Sequence, residues 1–310
     1  MHIPHGNTAQ RLEWRFLPPE LRAAIEERCG APVVDSVSQG AGFTPGFASV
    51  LTCADGSRHF VKAASTKAQR MFASAYREEA RKLAALPPEA PAPRLLWTID
   101  EDWVVLGLEY VECRNPHRPW RDDELAACLD AVELAAKVLT PVPEGLELGN
   151  FLDEFSNWPE NWDRVAESRP DLPHLAEAAE LAARYTEIAE GDTVVHTDVR
   201  DDNFLIRPDG SVLICDWNWP VAGADWLDSL FTLIGPRGDG IDVDAVIASR
   251  PLLHDVPADH IDIALALIAG YFFTSADEPV PPSSPHIRDA QAWQRDVIWA
   301  WLGERRGWNP

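Results

Sequence analysis

The stretch from Val194 to Pro220, VVHTDVRDDNFLIRPDGSVLICDWNWP, constrains this chain more than any other segment. It contains two short apolar runs separated by an Asp-Gly turn, with polar residues at fixed positions around them: His196, Asp198, Asn203 and Asp216. A hairpin between the two runs would bring Asp216 back beside the loop that carries Asp198 and Asn203. The pattern therefore predicts that two carboxylates and an amide oxygen lie close together.

The chemistry of these three side chains points to phosphoryl transfer. Asn203 and Asp216 offer hard oxygen ligands, which suit Mg²⁺. Asp198 is then free to accept a proton from a hydroxyl group, as the base of a phosphotransferase does. An isolated Asp-x4-Asn in an acidic protein would indicate only a surface turn, but the full pattern between two strands favours the catalytic interpretation.

The first 110 residues supply features expected of a nucleotide site. A glycine-rich turn, Gly40-Ala41-Gly42-Phe43, lies between two predicted strands and could place backbone N–H groups over phosphates, although such turns often only join strands. Lys62 lies in an apolar strand, where a lone lysine is usually an edge or snorkelling residue. Glu79 follows 17 residues later in a predicted helix, and a lysine held by a helix glutamate is the phosphate-binding pair of kinases.

The order of predicted elements indicates an α+β protein with two lobes. Residues 1–110 read as strands with one main helix inserted after the third strand, and residues 111–310 as mostly helices. The fifth strand ends at Glu109, and the backbone from Glu109 to Val111 would meet a nucleobase at the junction. We expect an N-terminal nucleotide-binding lobe over 1–110 and a C-terminal catalytic and substrate-binding lobe over 111–310.

Net charge excludes one class of partner and suggests another. The chain has 310 residues, with 50 Asp and Glu against 27 Lys and Arg. Residues 1–110 hold 13 acids and 12 bases, so residues 111–310 hold the other 37 acids and 15 bases, a net charge of −22. Nucleic acid is an unfavourable partner for such a surface. The acidic part either aids solubility or attracts a cationic ligand.

With these residues in place, the chain resembles the aminoglycoside phosphotransferase (APH) family of small-molecule kinases, over about residues 35–235. His196-x-Asp198-x4-Asn203 is similar to that family's His-Gly-Asp-x4-Asn signature, and Ile214-Cys215-Asp216-Trp217 to its Ile-Asp-Trp magnesium motif. The resemblance implies a bilobal protein-kinase-like fold, a small antiparallel-sheet lobe and a larger helical lobe, and the cofactors ATP (or GTP) and Mg²⁺.

The resemblance also implies roles for individual residues. Asp198 would be the catalytic base, Asn203 and Asp216 the magnesium ligands, and Lys62, anchored by Glu79, would hold the α- and β-phosphates. In the downstream segment Gly223-x-Asp225-x2-Asp228, the last aspartate would steady the catalytic loop. Thr197 stands where the family usually has glycine, and Val199-Arg200-Asp201-Asp202 replaces its usual Leu-His-Pro-Gly, so the substrate does not transfer with the motif.

The expected function is O-phosphorylation of a small-molecule hydroxyl, with a cationic antibiotic of the aminoglycoside kind as the first acceptor. Acids such as Glu154, Glu160, Asp163 and Asp277 are candidates for its wall. A neutral or metabolic acceptor and a non-catalytic nucleotide-binding protein remain alternatives.

No signal or membrane segment is apparent, and the five cysteines, without a CxxC pair, indicate reduced thiols rather than a zinc site. We expect a cytoplasmic monomer or homodimer.

Overall fold

An antiparallel five-stranded sheet forms the N-terminal lobe of the protein. The structure is a computed structural model that describes residues 8–40, Gly42 and 46–308. In chain order the strands are β1 (Val33–Ser38), β2 (Phe47–Cys53), β3 (Arg58–Ser65), β4 (Leu95–Asp100) and β5 (Trp103–Glu109). Their spatial order is β1-β2-β3-β5-β4. Two short apolar runs joined by Asp55-Gly56 predict a β2–β3 hairpin, and the structure confirms it: Gly56 has φ 85°, and Asp55 Oδ1 accepts from the Ser57 N–H at 2.9 Å.

Two helices cover opposite faces of this sheet because its apolar residues alternate. Helix α1 (Pro19–Cys29) packs on the face that carries Val105, and α2 (Arg70–Ala85) on the face that carries Leu106. Successive side chains of a strand point to opposite faces, so β5 serves both helices. The sequence from residue 67 to residue 86 contains no helix breaker and predicts one helix; α2 begins three residues later than predicted, at Arg70.

The rest of the chain is mostly helical, as predicted. Among the described residues, three short 3₁₀ helices lie between these helices, at Trp158–Glu160, Tyr185–Ile188 and Asp201–Asn203, and a fourth lies in the first lobe at Trp14–Phe16. The helices are α3 (Asp122–Val138), α4 (Phe151–Glu154), α5 (Asn161–Ser168), α6 (Leu175–Ala183), α7 (Leu227–Thr232), α8 (Ile234–Gly238), α9 (Val243–Ser249), α10 (Ala258–Ala276) and α11 (Ile287–Arg306). Among the residues described, none of these helices is long and apolar enough to cross a membrane.

Two small antiparallel pairs carry the central motif of the sequence. Strand β7 (Phe204–Ile206) pairs with β8 (Val212–Ile214), which confirms the predicted hairpin, and Phe204 lies opposite Ile214. Strand β6 (Thr193–Val195) pairs instead with β9 (Val221–Gly223), a strand that sequence reasoning missed. Three residues that end in glycine carry too little periodicity to predict a strand.

One predicted helix was wrong in extent. The sequence from 172 to 190 reads as a continuous helix, but the structure has α6 followed by a separate 3₁₀ turn at Tyr185–Ile188. The turn lies against α10, and packing on that helix decides a boundary that the local apolar pattern does not mark.

Candidate active site

Lys62, whose side chain is 12% exposed, joins the two lobes through two carboxylates. Lys62 Nζ lies 2.7 Å from Glu79 Oε1 and 2.7 Å from Asp216 Oδ1. Lys62 comes from β3 and Glu79 from α2, whereas Asp216 follows β8 in the other lobe. The predicted pairing of Lys62 with Glu79 is therefore present, and a contact with Asp216 is added to it.

Burial and pairing act against each other in this triad. Burial opposes the charged ammonium, yet Asp216 and Glu79 outweigh it and raise the pKa of Lys62. Burial likewise opposes the charged carboxylate of Asp216, and the attraction of Lys62 lowers the pKa of that group overall. Lys62 is thus held protonated and Asp216 ionised, the charge states needed to bind phosphates and a cation.

The loop after β6 holds Asp198 between an arginine and an amide. Arg200 Nη1 donates to Asp198 Oδ1 at 2.7 Å, and Asn203 Nδ2 donates to Asp198 Oδ2 at 3.1 Å. Burial raises the pKa of Asp198, while Arg200 opposes that shift. A carboxylate with a raised pKa that faces a cavity suits proton acceptance.

The carboxylate of Asp228 stabilises a strained backbone conformation in this loop. Thr197 has φ 68°, a conformation that favours glycine and costs about 1–3 kcal/mol in other residues. Asp228 Oδ2 accepts from the His196 N–H at 2.6 Å, and Asp228 Oδ1 accepts from the Thr197 N–H at 2.9 Å. His196 is fully buried and lies 3.0 Å from the Cys215 carbonyl. These contacts fit the role expected for Asp228 in steadying the loop, and they hold His196 in a buried position.

The segment that carries Asp216 is tied to α2 by a second lysine. Lys82, one turn after Glu79, is 8% exposed and donates to the Asn218 carbonyl at 2.7 Å. Asn218 Nδ2 in turn donates to Asp216 Oδ1 at 2.7 Å. Sequence reasoning missed both residues, and only their placement in the predicted helix and beside Asp216 could have suggested them.

A cavity of about 360 Å³ lies between the lobes and has the lining expected for a nucleotide site. Apolar side chains of β2, β3 and β5 form one end, including Ala48, Phe60 and Leu108. The predicted residues that line it are Gly42, Lys62, Glu79, Glu109, Val111, Asn203 and Asp216. Gly40 does not line it, and Phe43 lies outside the described residues.

Glu109, the last residue of β5, already makes hydrogen bonds within the N-terminal lobe. The Glu109 N–H donates to the Arg94 carbonyl at 3.0 Å, and the Glu109 carboxylate also accepts from Arg94. Arg58 stacks over the Tyr110 ring at 3.8 Å. The N–H and the carboxylate of Glu109 are therefore both used within the N-terminal lobe.

Two residues near the start of the described chain reach the glycine turn, and sequence reasoning missed them. Thr8 N donates to the Gly40 carbonyl at 2.9 Å, and Thr8 Oγ1 donates to the Gly42 carbonyl at 2.5 Å. Arg11 lines the nucleotide-sized cavity together with Gly42 and Lys62. The residues before α1 carry no motif, so only the fold reveals their position.

A second cavity, of about 770 Å³, opens on the other side of Asp216. It is lined by Asp198, Arg200 and Asp216 at one end. Aromatic residues form much of its wall: Phe155, Trp158, Trp219, Phe231, Tyr271 and Phe272. Trp158 stacks on Tyr271 with ring centroids 4.4 Å apart, and Trp162 is fully buried in the core.

The acids on this second cavity only partly match those expected. Glu154 lines it, together with Glu147 and Glu78. Three other expected acids do not: Glu160 and Asp163 are exposed elsewhere, and Asp277 pairs with Arg169 at 2.9 Å. Sequence cannot tell which acids of an acidic lobe face a cavity, since that depends on how short helices pack.

The oxygen donors at the junction of the two cavities fit Mg²⁺. Asp216 supplies a carboxylate that Lys62 keeps ionised. The Asn203 amide nitrogen donates to the Asp198 carbonyl at 2.7 Å, so its amide oxygen is the atom offered to a cation. Hard oxygen ligands of this kind, with phosphate oxygens and water, are what Mg²⁺ prefers.

Comparison with known proteins identifies the fold. No protein-family model matches the chain, and no curated protein matches it in sequence. Among solved structures, an aminoglycoside phosphotransferase from Alicyclobacillus acidocaldarius has a TM-score of 0.63 at 14% identity, covering 94% of this chain and 96% of that one.

Two further structures extend the comparison. A thermostable mutant of aminoglycoside phosphotransferase APH(4)-Ia, solved with AMP-PNP and hygromycin B, has a TM-score of 0.63 at 14% identity, over 94% of this chain and 100% of that one. Choline kinase LicA from Streptococcus pneumoniae has a TM-score of 0.61 at 13% identity, over 92% and 99%. The chain therefore has the α+β, kinase-like fold of the aminoglycoside phosphotransferases.

Proposed function

We propose that this protein transfers the γ-phosphoryl group of ATP, or of GTP, to a hydroxyl group of a small molecule. The observation that carries the proposal is that Asp216 lines both cavities. Asn203 lines the nucleotide-sized cavity and Asp198 lines the larger one. A phosphate donor and a hydroxyl acceptor in the two cavities would therefore meet at these three side chains.

Each residue has a role that follows from its contacts. Asp198 accepts the proton of the acceptor hydroxyl, and Arg200 and Asn203 hold its carboxylate in position. Lys62, oriented by Glu79, binds phosphate oxygens. Asp216 and Asn203 hold Mg²⁺, which when bound neutralises charge on the phosphates.

The nucleotide would enter the smaller cavity between the lobes. The sheet residues Ala48, Phe60 and Leu108 give a base an apolar surface, and Glu109 and Val111 line the cavity at the junction, where their backbone would meet the base. Solved structures of this fold carry AMP-PNP, ADP or AMP, which supports a nucleotide there. The glycine turn that includes Gly40, Gly42 and Phe43 would cover the phosphates.

For the acceptor we propose a cationic compound such as an aminoglycoside or another basic antibiotic. Glu147 and Glu154 line the larger cavity, and neither has an ion-pair partner among the described residues. Unpaired carboxylates on a cavity wall attract ammonium groups, and charged hydrogen bonds are about twice as strong as neutral ones. Hygromycin B and spectinomycin occupy solved structures of this fold, which is consistent with an acceptor of that class.

A neutral acceptor is the second candidate, and the aromatic wall favours it. Trp158, Trp219 and Tyr271 could stack on a sugar or cover an apolar ring without any charge. The third candidate, a nucleotide-binding protein without catalysis, is disfavoured because Asp198 is held in place beside the cavity.

One experiment separates these candidates. Cationic, neutral and anionic hydroxyl compounds are incubated with ATP or GTP and Mg²⁺ at two ionic strengths, and added phosphoryl groups are detected by mass. A cationic acceptor whose KM rises with salt supports the proposal. Turnover of neutral compounds alone, with a salt-independent KM, favours the second candidate, and no phosphorylated product with intact nucleotide binding favours the third.

Three further predictions stay part of this proposal. The boundary between nucleotide-binding and acceptor-binding lobes lies between residues 110 and 111. The protein acts in the cytoplasm, where the five free cysteines stay reduced. It functions as a monomer or a homodimer.

A further inference from the structure

Two cysteines and a histidine converge at one end of the N-terminal sheet. Cys29 is the last residue of α1, Cys53 is the last residue of β2, and His59 is the second residue of β3. One ligand atom from each of the three side chains lies within 4.8 Å of the others. Sequence reasoning read these cysteines as scattered thiols, because 24 and 6 residues separate the three positions and no CxxC pair marks them.

The three positions are fixed by ordinary features of the fold. Gly30, with φ 87°, ends α1 directly after Cys29. The Cys53 N–H donates to the Ser57 carbonyl at 2.9 Å, which closes the β2–β3 turn between Cys53 and His59. The three side chains therefore meet where the end of α1 and the β2–β3 turn each have a fixed backbone conformation.

One nitrogen of the His59 imidazole has no hydrogen-bond partner among the described residues. His59 Nε2 lies 3.3 Å from Ser57 Oγ, whereas His59 Nδ1 is buried and has no hydrogen-bond partner in the described part of the chain. A buried polar atom without a partner costs free energy, so such atoms are uncommon unless something else binds them. Cys29 and Cys53 are 8% and 1% exposed, and their thiols lie within hydrogen-bond contact of each other.

We propose that Cys29, Cys53 and His59 form a binding site for a thiophilic d¹⁰ cation, Zn²⁺ or Cu⁺. Two thiolates and an imidazole are the ligands that these cations prefer, and Mg²⁺ prefers oxygen. The ligand atoms would draw together to separations of about 3.5–4 Å, as bond lengths of about 2.0–2.3 Å require. With Zn²⁺ a water would take the fourth position, whereas Cu⁺ can stay three-coordinate.

The site is structural and lies apart from the phosphate chemistry. The cation would clamp the end of α1 to the β2–β3 hairpin, three residues along β3 from Lys62. The exposed turn residues Ala54, Asp55 and Gly56 adjoin the cluster and give a cation a route from solvent. Binding to the folded state alone raises stability by mass action.

The test measures metal binding directly, on the full chain with any affinity tag removed. Reduced, metal-free protein is titrated with Zn²⁺ against a chromogenic chelator, and in an oxygen-free arm with Cu⁺ against a Cu⁺ chelator. We expect one equivalent of one of these ions to bind and to raise Tm. Co²⁺ in place of Zn²⁺ should show thiolate charge-transfer absorption.

Variants locate the ion. C29S, C53S and H59N should each lose more than about 100-fold in affinity, since changes even to outer partners of a ligand cost about 10–100-fold. C113S and C128S are matched cysteine controls, and D216N controls for an ion bound at the oxygen ligands; all three should bind as the parent does. H59N removes a partly exposed side chain, so it tests the site even where a core cysteine variant unfolds.

Four results would overturn the proposal. The first three are no bound equivalent in either arm, affinity unchanged in H59N, and metal bound only in variants that keep Asp216. Formation of a Cys29–Cys53 disulfide, with no metal bound by the reduced protein, would overturn it as well.

Discussion

Arg200 Nη1 lies 2.7 Å from Oδ1 of Asp198, so the proposed catalytic base carries its own counter-ion two residues away. Arg200 also contacts Asp202 Oδ1 at 3.0 Å, which fixes the guanidinium on the loop. Arg200 opposes the rise that burial causes in the pKa of Asp198, and it places a positive charge on the wall of the larger cavity.

Removal of this counter-ion should shift the pH dependence of turnover. Burial raises the pKa of Asp198 and Arg200 opposes the rise, so Arg200→Ala raises that pKa further. The base works only when ionised, and therefore the acid limb of kcat/KM against pH should move to higher pH in the variant. Arg184→Ala, which removes a partly exposed arginine paired with Glu187 and Asp259, is the matched control and should leave the profile in place.

Asp198→Asn should reduce kcat by roughly 10²–10⁴ while nucleotide affinity persists. The amide keeps the shape of the side chain but cannot accept the proton of the acceptor hydroxyl. Asp198 does not line the nucleotide-sized cavity, so binding there is spared. Single-turnover rates and nucleotide titrations measure the two quantities separately, and near-normal turnover would contradict the assigned role.

Asp216→Ala should remove the part of nucleotide affinity that depends on Mg²⁺. Under the proposed function, Asp216 and Asn203 would supply the protein's oxygen ligands for Mg²⁺. Nucleotide is titrated with and without Mg²⁺ in both proteins. An equal response of parent and variant to Mg²⁺ would show that the ion is held by other groups.

Lys62→Met should destabilise the protein and also abolish catalysis. From sequence alone, where Lys62 lies in an apolar strand, loss of its stem would cost only about 1 kcal/mol of stability. In the structure it neutralises Glu79, which is 1% exposed, and Asp216. Removing one partner of a buried pair costs about 3–5 kcal/mol, and we expect the lower end because Asp216 keeps some exposure.

A double variant distinguishes the two roles of Lys62. Lys62→Met with Glu79→Gln removes the buried charge along with its partner and should recover much of the free energy of unfolding, measured by urea denaturation. It should not recover turnover, because no phosphate-binding ammonium returns. A double variant with parental kcat would mean that Lys62 serves folding alone.

The site was predictable where its geometry is local. Asp198, Asn203 and Asp216 meet because one hairpin, β7–β8, returns the chain over a few residues. Lys62 and Glu79 meet because a strand and the helix that follows it pack together. Both relationships leave a pattern in the sequence.

Contacts between residues far apart in the chain have no local sequence pattern that would predict them. Lys82 reaches Asn218 across 136 residues, and Thr8 reaches Gly42 across 34. Cys29, Cys53 and His59 meet only because α1 folds over the β2–β3 hairpin. Charge counting gave an acidic lobe but not the acids that face the cavity, since their direction depends on how α4 and its neighbours pack.

A comparison of acids that line the larger cavity with acids that lie outside it tests whether the acceptor is cationic. Glu147→Gln and Glu154→Gln should each raise KM for a cationic acceptor several-fold and weaken its salt dependence, with kcat little changed, because the carboxylates act at a distance from the reacting hydroxyl. Glu160→Gln and Asp163→Asn remove the same charge from exposed positions outside the cavity and are the matched controls. Equal shifts in all four variants would mean that the net charge of the lobe attracts the substrate. No shift in any of them, with neutral compounds phosphorylated well, would assign selection to the aromatic wall of Trp158 and Tyr271.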